Sequence, residues 1–189
     1  MPVEEGKKAP AFTLTDQNGD KHSLKDYTGR NVILYFYPRD DTPGCTKEAC
    51  GFRDLKRQIA RRDTVVLGCS PDSAEKHAAF IKKYKLNFML LSDPDKKVMT
   101  KYGAFGEKMM YGKKTQGVIR STVWIGPDGK VKQHWARVAK AADHPAKVLE
   151  ALEAVESEHL ARPGPTVHRT SRRERNTSEH PRRNTFEMT

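Results

Sequence analysis

The residues able to do chemistry cluster in one stretch: Pro38-Arg39-Asp40-Asp41-Thr42-Pro43-Gly44-Cys45-Thr46-Lys47-Glu48-Ala49-Cys50. Thr42 followed by Pro43 reads as a helix start. Threonine is a favoured N-cap, and proline suits the first helical position because its missing N–H is no loss there. Cys45 then lies three residues past the cap, in the first turn. Unbonded backbone N–H groups and the positive end of the helix dipole gather at that point. Both favour thiolate over thiol, and the thiolate is the nucleophile. Cys50 follows five residues later. An unbroken helix would set the two roughly 140° apart around its axis, with Cα atoms about 9 Å apart. A disulfide needs about 4.4–6.8 Å. Either both cysteines are inert in an intact helix, or the first turns unwind to join them. Cysteine is a common buried structural residue. A strand-end loop feeding a helix is also where ligands meet open α/β sheets. That setting favours a reactive Cys45 and leaves Cys50 evenly balanced.

The flanking pattern supplies the elements that would position these residues. Val32-Ile33-Leu34-Tyr35-Phe36-Tyr37 reads as a strand buried on both faces, ended by Pro38. Cys45, Ala49, Phe52, Leu55 and Ile59 keep helical spacing to about Arg62. Upstream, Asn18-Gly19 marks a hairpin turn, and Ser23 with Asp26 a capped single turn. Downstream come a second buried strand, Thr64 to Cys69, and a helix from Pro71. That helix is expected to turn Ala74, Ala78, Phe80, Ile81 and Tyr84 inward. A short strand at Phe88–Leu91, a short helix at Pro94–Tyr102, a hairpin over Gly126-Pro127-Asp128-Gly129 and a last helix from about Asp143 to Glu158 complete the pattern. Strand–helix–strand units give a parallel centre and the late hairpin adds antiparallel strands. The expected fold class is α/β: a mixed sheet with helices on both faces.

Length and charge set outer bounds. The 189 residues suit one domain with an appendage. Three cysteines are too few for a disulfide framework, and no apolar run is long enough to span a membrane. The net charge of +11 raises nucleic acid as a partner. It is unevenly built. The first 160 residues carry 20 lysines and 8 arginines; residues 161–189 carry seven arginines, no lysine and Pro163, Pro165 and Pro181. The expected organisation is a domain over 1–160 and an Arg-rich, disordered tail over 161–189. The amino terminus is acidic with no apolar stretch, so the expected location is cytoplasmic.

The cysteine stretch closely resembles the peroxiredoxins, specifically the bacterioferritin comigratory protein or peroxiredoxin Q branch. The family pattern Pro-x-x-x-Thr-x-x-Cys is met by Pro38, Thr42 and Cys45, and the branch's second cysteine by Cys50. Arg120 in Arg-Ser-Thr-Val-Trp-Ile fits the family's distant arginine, and the likeness runs over about residues 3–158 in order and spacing. The resemblance implies a thioredoxin-like fold with an N-terminal β-hairpin. It implies a thiol-dependent peroxidase for hydrogen peroxide and organic hydroperoxides, serving antioxidant defence. Cys45 would form a sulfenic acid and Cys50 would resolve it as an intramolecular disulfide. Thr42 and Arg120 would orient and polarise the peroxide, and Pro38 would shape the loop and shield the thiolate. Thioredoxin or a similar dithiol would recycle the enzyme, as a monomer, with no metal, no organic cofactor and no membrane. Cys69 reads as core, with a backup resolving role as its alternative.

Other readings are weaker. A thiol–disulfide oxidoreductase would normally show Cys-x-x-Cys, which is absent. Nucleic-acid binding through the tail lacks a stacking series, since Phe186 is its one aromatic. A solubilising tail is the favoured reading.

Overall fold

The computed structural model describes residues 3–161. The tail assigned to 161–189 lies outside them except for Ala161. A hairpin of β1 (Thr13–Asp16) and β2 (Lys21–Ser23) opens the fold, followed by a single 3₁₀ turn, Leu24–Tyr27. Ser23 and Asp26 form the expected capping box, in which Asp26 accepts from the Ser23 N–H at 2.7 Å. The Ser23 hydroxyl also meets Thr13 Oγ1 across the hairpin. Then come β3 (Asn31–Phe36), α1 (Pro43–Ala60), β4 (Thr64–Ser70), α2 (Ala74–Tyr84), β5 (Met89–Ser92) and α3 (Lys97–Lys101). A second hairpin follows, β6 (Phe105–Met110) and β7 (Lys113–Val118), and then β8 (Ser121–Ile125), β9 (Val131–Trp135) and α4 (His144–Ala161).

Seven strands form one sheet in the order β2-β1-β5-β4-β3-β8-β9. β3, β4 and β5 are parallel, while β1 and β8 run antiparallel to the centre. Central β3 is buried on both faces and sorts its side chains by pleat. Ile33, Tyr35 and Tyr37 enter the layer with Phe52 and Ile59 of α1, Phe80 of α2, and Val148, Leu149 and Leu152 of α4. Val32, Leu34 and Phe36 enter the opposite layer with Val98, Met99 and Tyr102. The expected mixed sheet with helices on both faces is present, including the N-terminal hairpin.

Two features depart from the sequence reading. The hairpin β6–β7, a separate two-stranded sheet, was not expected. On α2, Ala78 is exposed and His77 is the buried neighbour. A buried histidine hydrogen-bonded on both ring nitrogens replaces the alanine that helical spacing alone selects.

Close approaches fix the layer around α1. A Cβ on Gly68 would lie 2.7 Å from Leu90 Cδ2 and 2.9 Å from the Tyr35 hydroxyl, so β4 needs glycine where the Tyr35 ring crosses it. Tyr35 then stacks on Phe52 with centroids 4.8 Å apart. Burying a side chain the size of Phe52 contributes about 1.5–3 kcal/mol, so this contact seats α1 firmly on the sheet.

Candidate active site

Thr42 is the N-cap of α1 by backbone conformation, with φ −99° and ψ 153°, and Pro43 opens the helix. The Thr42 carbonyl accepts the Thr46 N–H at 2.8 Å. Its hydroxyl does not cap the helix; it donates to the Arg39 carbonyl at 3.0 Å. The N–H groups of Gly44 and Cys45 therefore stand at the open helix end without an intrahelical acceptor. Cys45 is buried, on an inward stripe of α1 with Glu48, Ala49 and Phe52. Pro38 is exposed on the loop between β3 and α1.

Arg120 reaches this helix end through the sheet register. Phe36, the last residue of β3, pairs with Ser121, the first of β8. That places the preceding residue, Arg120, beside the loop that leaves β3. Hairpin β6–β7 delivers the chain to that point. The Ile119 N–H donates to the Ala104 carbonyl at 2.7 Å, and the Val138 N–H to the Arg120 carbonyl at 2.9 Å. From there one arm of the guanidinium donates to Cys45 Sγ at 3.1 Å. The other arm is ion-paired with Glu48 Oε2. Burial opposes the arginine's charge, but Glu48 and Cys45 outweigh it and raise its pKa, so Arg120 is a permanent cation here.

Glu48 has no exposed surface. Burial pushes its carboxyl up to about 7, against the downward pull of Arg120. Its Oε1, the Tyr35 hydroxyl and Ser121 Oγ are buried without a hydrogen-bond partner among the described residues. Burial first, then the charges of Glu48, Asp40 and Cys45, hold Tyr35 far into its phenol form. His144 packs edge-on against Phe52 and Trp135, and its Nε2 meets Thr122 Oγ1 at 2.8 Å. Burial, helped by Lys147 and Arg120, lowers it to about 4, so it is neutral at pH 7.

The structure thus brings Cys45 and Arg120 together and sets Thr42 at the helix cap. Cys50 is half-buried five residues along the same unbroken helix, and Cys45, Cys50 and Cys69 are all free thiols. Cys69 is fully buried in β4, and burial raises its thiol well above the ordinary value. Glu48 is the residue that sequence reasoning missed. The signal was present: a carboxylate three residues after Cys45 falls on the helix's inward stripe.

The site is thus a cysteine at a helix N-terminus, touched by an arginine that precedes a distant strand. Residues 5–134 match the AhpC/TSA family. The chain belongs to that family. It is 42% identical over 153 residues to the peroxiredoxin Bcp of Bacillus subtilis, covering 81% of this chain and 97% of that one. It is 41% identical over 152 residues to the peroxiredoxin Bcp of Escherichia coli, covering 80% and 97%. Among solved structures, the bacterioferritin comigratory protein of Xanthomonas campestris superposes with a TM-score of 0.74 at 35% identity, covering 80% of this chain and 99% of that one. The chain is therefore a peroxiredoxin, a thiol-dependent peroxidase on the thioredoxin fold. Among the described residues, no helix is long and apolar enough to cross a membrane.

Proposed function

We propose that this peroxiredoxin reduces hydrogen peroxide and organic hydroperoxides through Cys45, with Cys50 as resolving residue. The thiolate of Cys45 attacks the distal peroxide oxygen. An S–O bond forms, the O–O bond breaks, and the sulfur is oxidised by two electrons to a sulfenic acid. The departing oxygen takes a proton and leaves as water or alcohol. Arg120 stabilises the charge that builds on the two oxygens, with the Gly44 and Cys45 N–H groups as further donors. Thr42 can turn its hydroxyl from the Arg39 carbonyl to the peroxide. Pro38 shapes the loop around the thiolate.

Cys50 then attacks the sulfenic sulfur, an S–S bond forms, and the hydroxyl leaves as water with the Cys50 proton. The intact helix holds the two Cα atoms about 9 Å apart, so its first turns must unwind for this step. A dithiol of the thioredoxin type reduces the disulfide and restores both thiols. The reading takes the enzyme as a monomer working in a reducing cytoplasm, where its three thiols are kept free. The 3.1 Å contact between the Arg120 guanidinium and Cys45 Sγ carries it. Intact-mass analysis after one equivalent of hydrogen peroxide tests it. Loss of two hydrogens mapped to Cys45–Cys50 is expected. A stable sulfenic acid with Cys50 untouched would sink the intramolecular route.

A further inference from the structure

The loop leading into Cys45 is tied to the body of the fold by a buried polar network. Asp40, five residues before Cys45, is buried, and its N–H and both carboxyl oxygens are engaged. The N–H donates to Asp72 Oδ2 at 2.8 Å, and the Tyr37 hydroxyl donates to Oδ1 at 2.6 Å. His77 Nδ1 lies 2.7 Å from Oδ2. His77 sits fully buried on α2, and its Nε2 faces the Leu91 carbonyl at 3.1 Å. A carbonyl only accepts, so Nε2 carries a hydrogen, and a second proton lies between Nδ1 and Oδ2. Asp72 also accepts from Ser70 Oγ at 2.8 Å. Asp41 adds an outer tie to α2. Its carboxylate accepts from Lys83 Nζ at 2.7 and 2.9 Å and from the Tyr84 hydroxyl at 2.6 Å. Asp41 itself sits at φ 57°, in the left-handed region that aspartate adopts more readily than most residues other than glycine. None of these bonds reaches Cys45 or Arg120.

We propose that Asp40 and His77, reinforced by Asp41 with Lys83 and Tyr84, are positioning residues for the peroxide reaction. They fix the loop from 38 to 42 on α2 and so hold Cys45 against the Arg120 guanidinium. The inference rests on reading Cys45 as the peroxide-reactive thiol. Arg120 immediately precedes β8, whereas Cys45 sits in the first turn of α1 after the loop from β3, so their contact depends on how two separately anchored segments meet. Burying a network of this kind carries a desolvation penalty that plain apolar packing would avoid. A set loop position is what it secures.

The test compares Asp40→Ala with Asp40→Asn. Asparagine keeps every bond: its oxygen accepts from Tyr37, and its amide donates to a neutral His77 Nδ1. Alanine strands both partners. The measurements are the second-order rate of Cys45 oxidation by hydrogen peroxide, normalised to the folded fraction, and amide hydrogen exchange over residues 38–46. Since misplacement by about 1 Å can remove about 100-fold in rate, Asp40→Ala should lose about 10- to 100-fold. Its exchange over 38–46 should rise, while Asp40→Asn stays near wild type in both. A folded Asp40→Ala with an unchanged rate overturns the proposal, because a merely structural role would lower stability alone. If Asp40→Ala does not fold, Tyr37→Phe and Asp41→Ala each remove one tie, and unchanged rates in both overturn it. If peroxide leaves wild-type Cys45 unmodified, the peroxidase reading fails instead. The clamp is then judged on exchange, and unchanged protection over 38–46 in the folded variants defeats it.

Discussion

Glu48 is a buried carboxyl group whose proton links folding stability to pH. It keeps that proton in the folded chain up to about pH 7, because burial outweighs the pull of Arg120. The unfolded chain releases it near 4.5. Between those values the folded state binds more protons, so Glu48 subtracts stability as pH rises through the window, and the loss levels off above 7. Glu48→Gln cannot titrate. The melting temperature of the variant relative to wild type should therefore climb from pH 5 to pH 7 and then flatten. A difference that is constant with pH would show that the carboxyl is ionised throughout. Arg120 poses a separate demand. It contacts a sulfur with one nitrogen and a carboxylate with another. A lysine ammonium cannot span both in that fixed fork. Arg120→Lys should lower the rate of Cys45 oxidation by about 100-fold, the scale of losing one preorganised donor. Stopped-flow oxidation by hydrogen peroxide measures it. Arg120 could be named only by resemblance, and Glu48 only as an inward-facing carboxylate without a partner. Helical spacing puts Glu48 inward, but nothing local says that a guanidinium 72 positions away awaits it.

At the scale of elements, the legible parts were those with strong local signals. The run from Val32 to Tyr37 must be a buried strand, and Thr42-Pro43 must start a helix, so the strand–loop–helix that carries Cys45 could be read directly. Hairpin β6–β7 could not. Residues 113–117 of β7 are exposed or half-exposed, so no apolar alternation betrays the strand. Yet that hairpin is what brings Arg120 to the site. His77 was missed for the opposite reason. Its burial depends on Asp40 and the Leu91 carbonyl, both distant in sequence. The packing of α1 on α4 yields a prediction of its own. A Cβ at Gly51 would lie 2.8 Å from Pro145 Cγ, in a ring that cannot swing aside. Overpacking of this kind costs about 1–3 kcal/mol. Alanine's better helix propensity returns at most about 1 kcal/mol. Gly51→Ala should lower the urea midpoint with an unchanged m-value, and a raised midpoint would mean that α4 yields without loss.

For the whole molecule, the net charge of +11 is divided between two regions of different composition. Seven arginines and three glutamates fall within residues 162–189, which leaves +7 on the part that holds every site residue. Cys45, Arg120, Glu48 and the Asp40–His77 pair are all placed by elements within 3–161. Removing 162–189 should therefore change peroxide turnover little. The same truncation separates two uses for the arginines. If all seven neutralised phosphates of a single strand, the slope of log affinity against log salt would differ by about 5 between the full chain and the truncated one. A solubilising segment predicts no such difference, and a lower solubility for the truncated chain as its charge falls. The composition favours the second outcome, because Phe186 alone cannot provide the successive stacking that single strands use. Oligonucleotide titrations of both chains at several salt concentrations measure the slope. A slope difference approaching that of seven phosphates, with turnover unchanged, would make the arginines a nucleic-acid contact independent of the peroxidase.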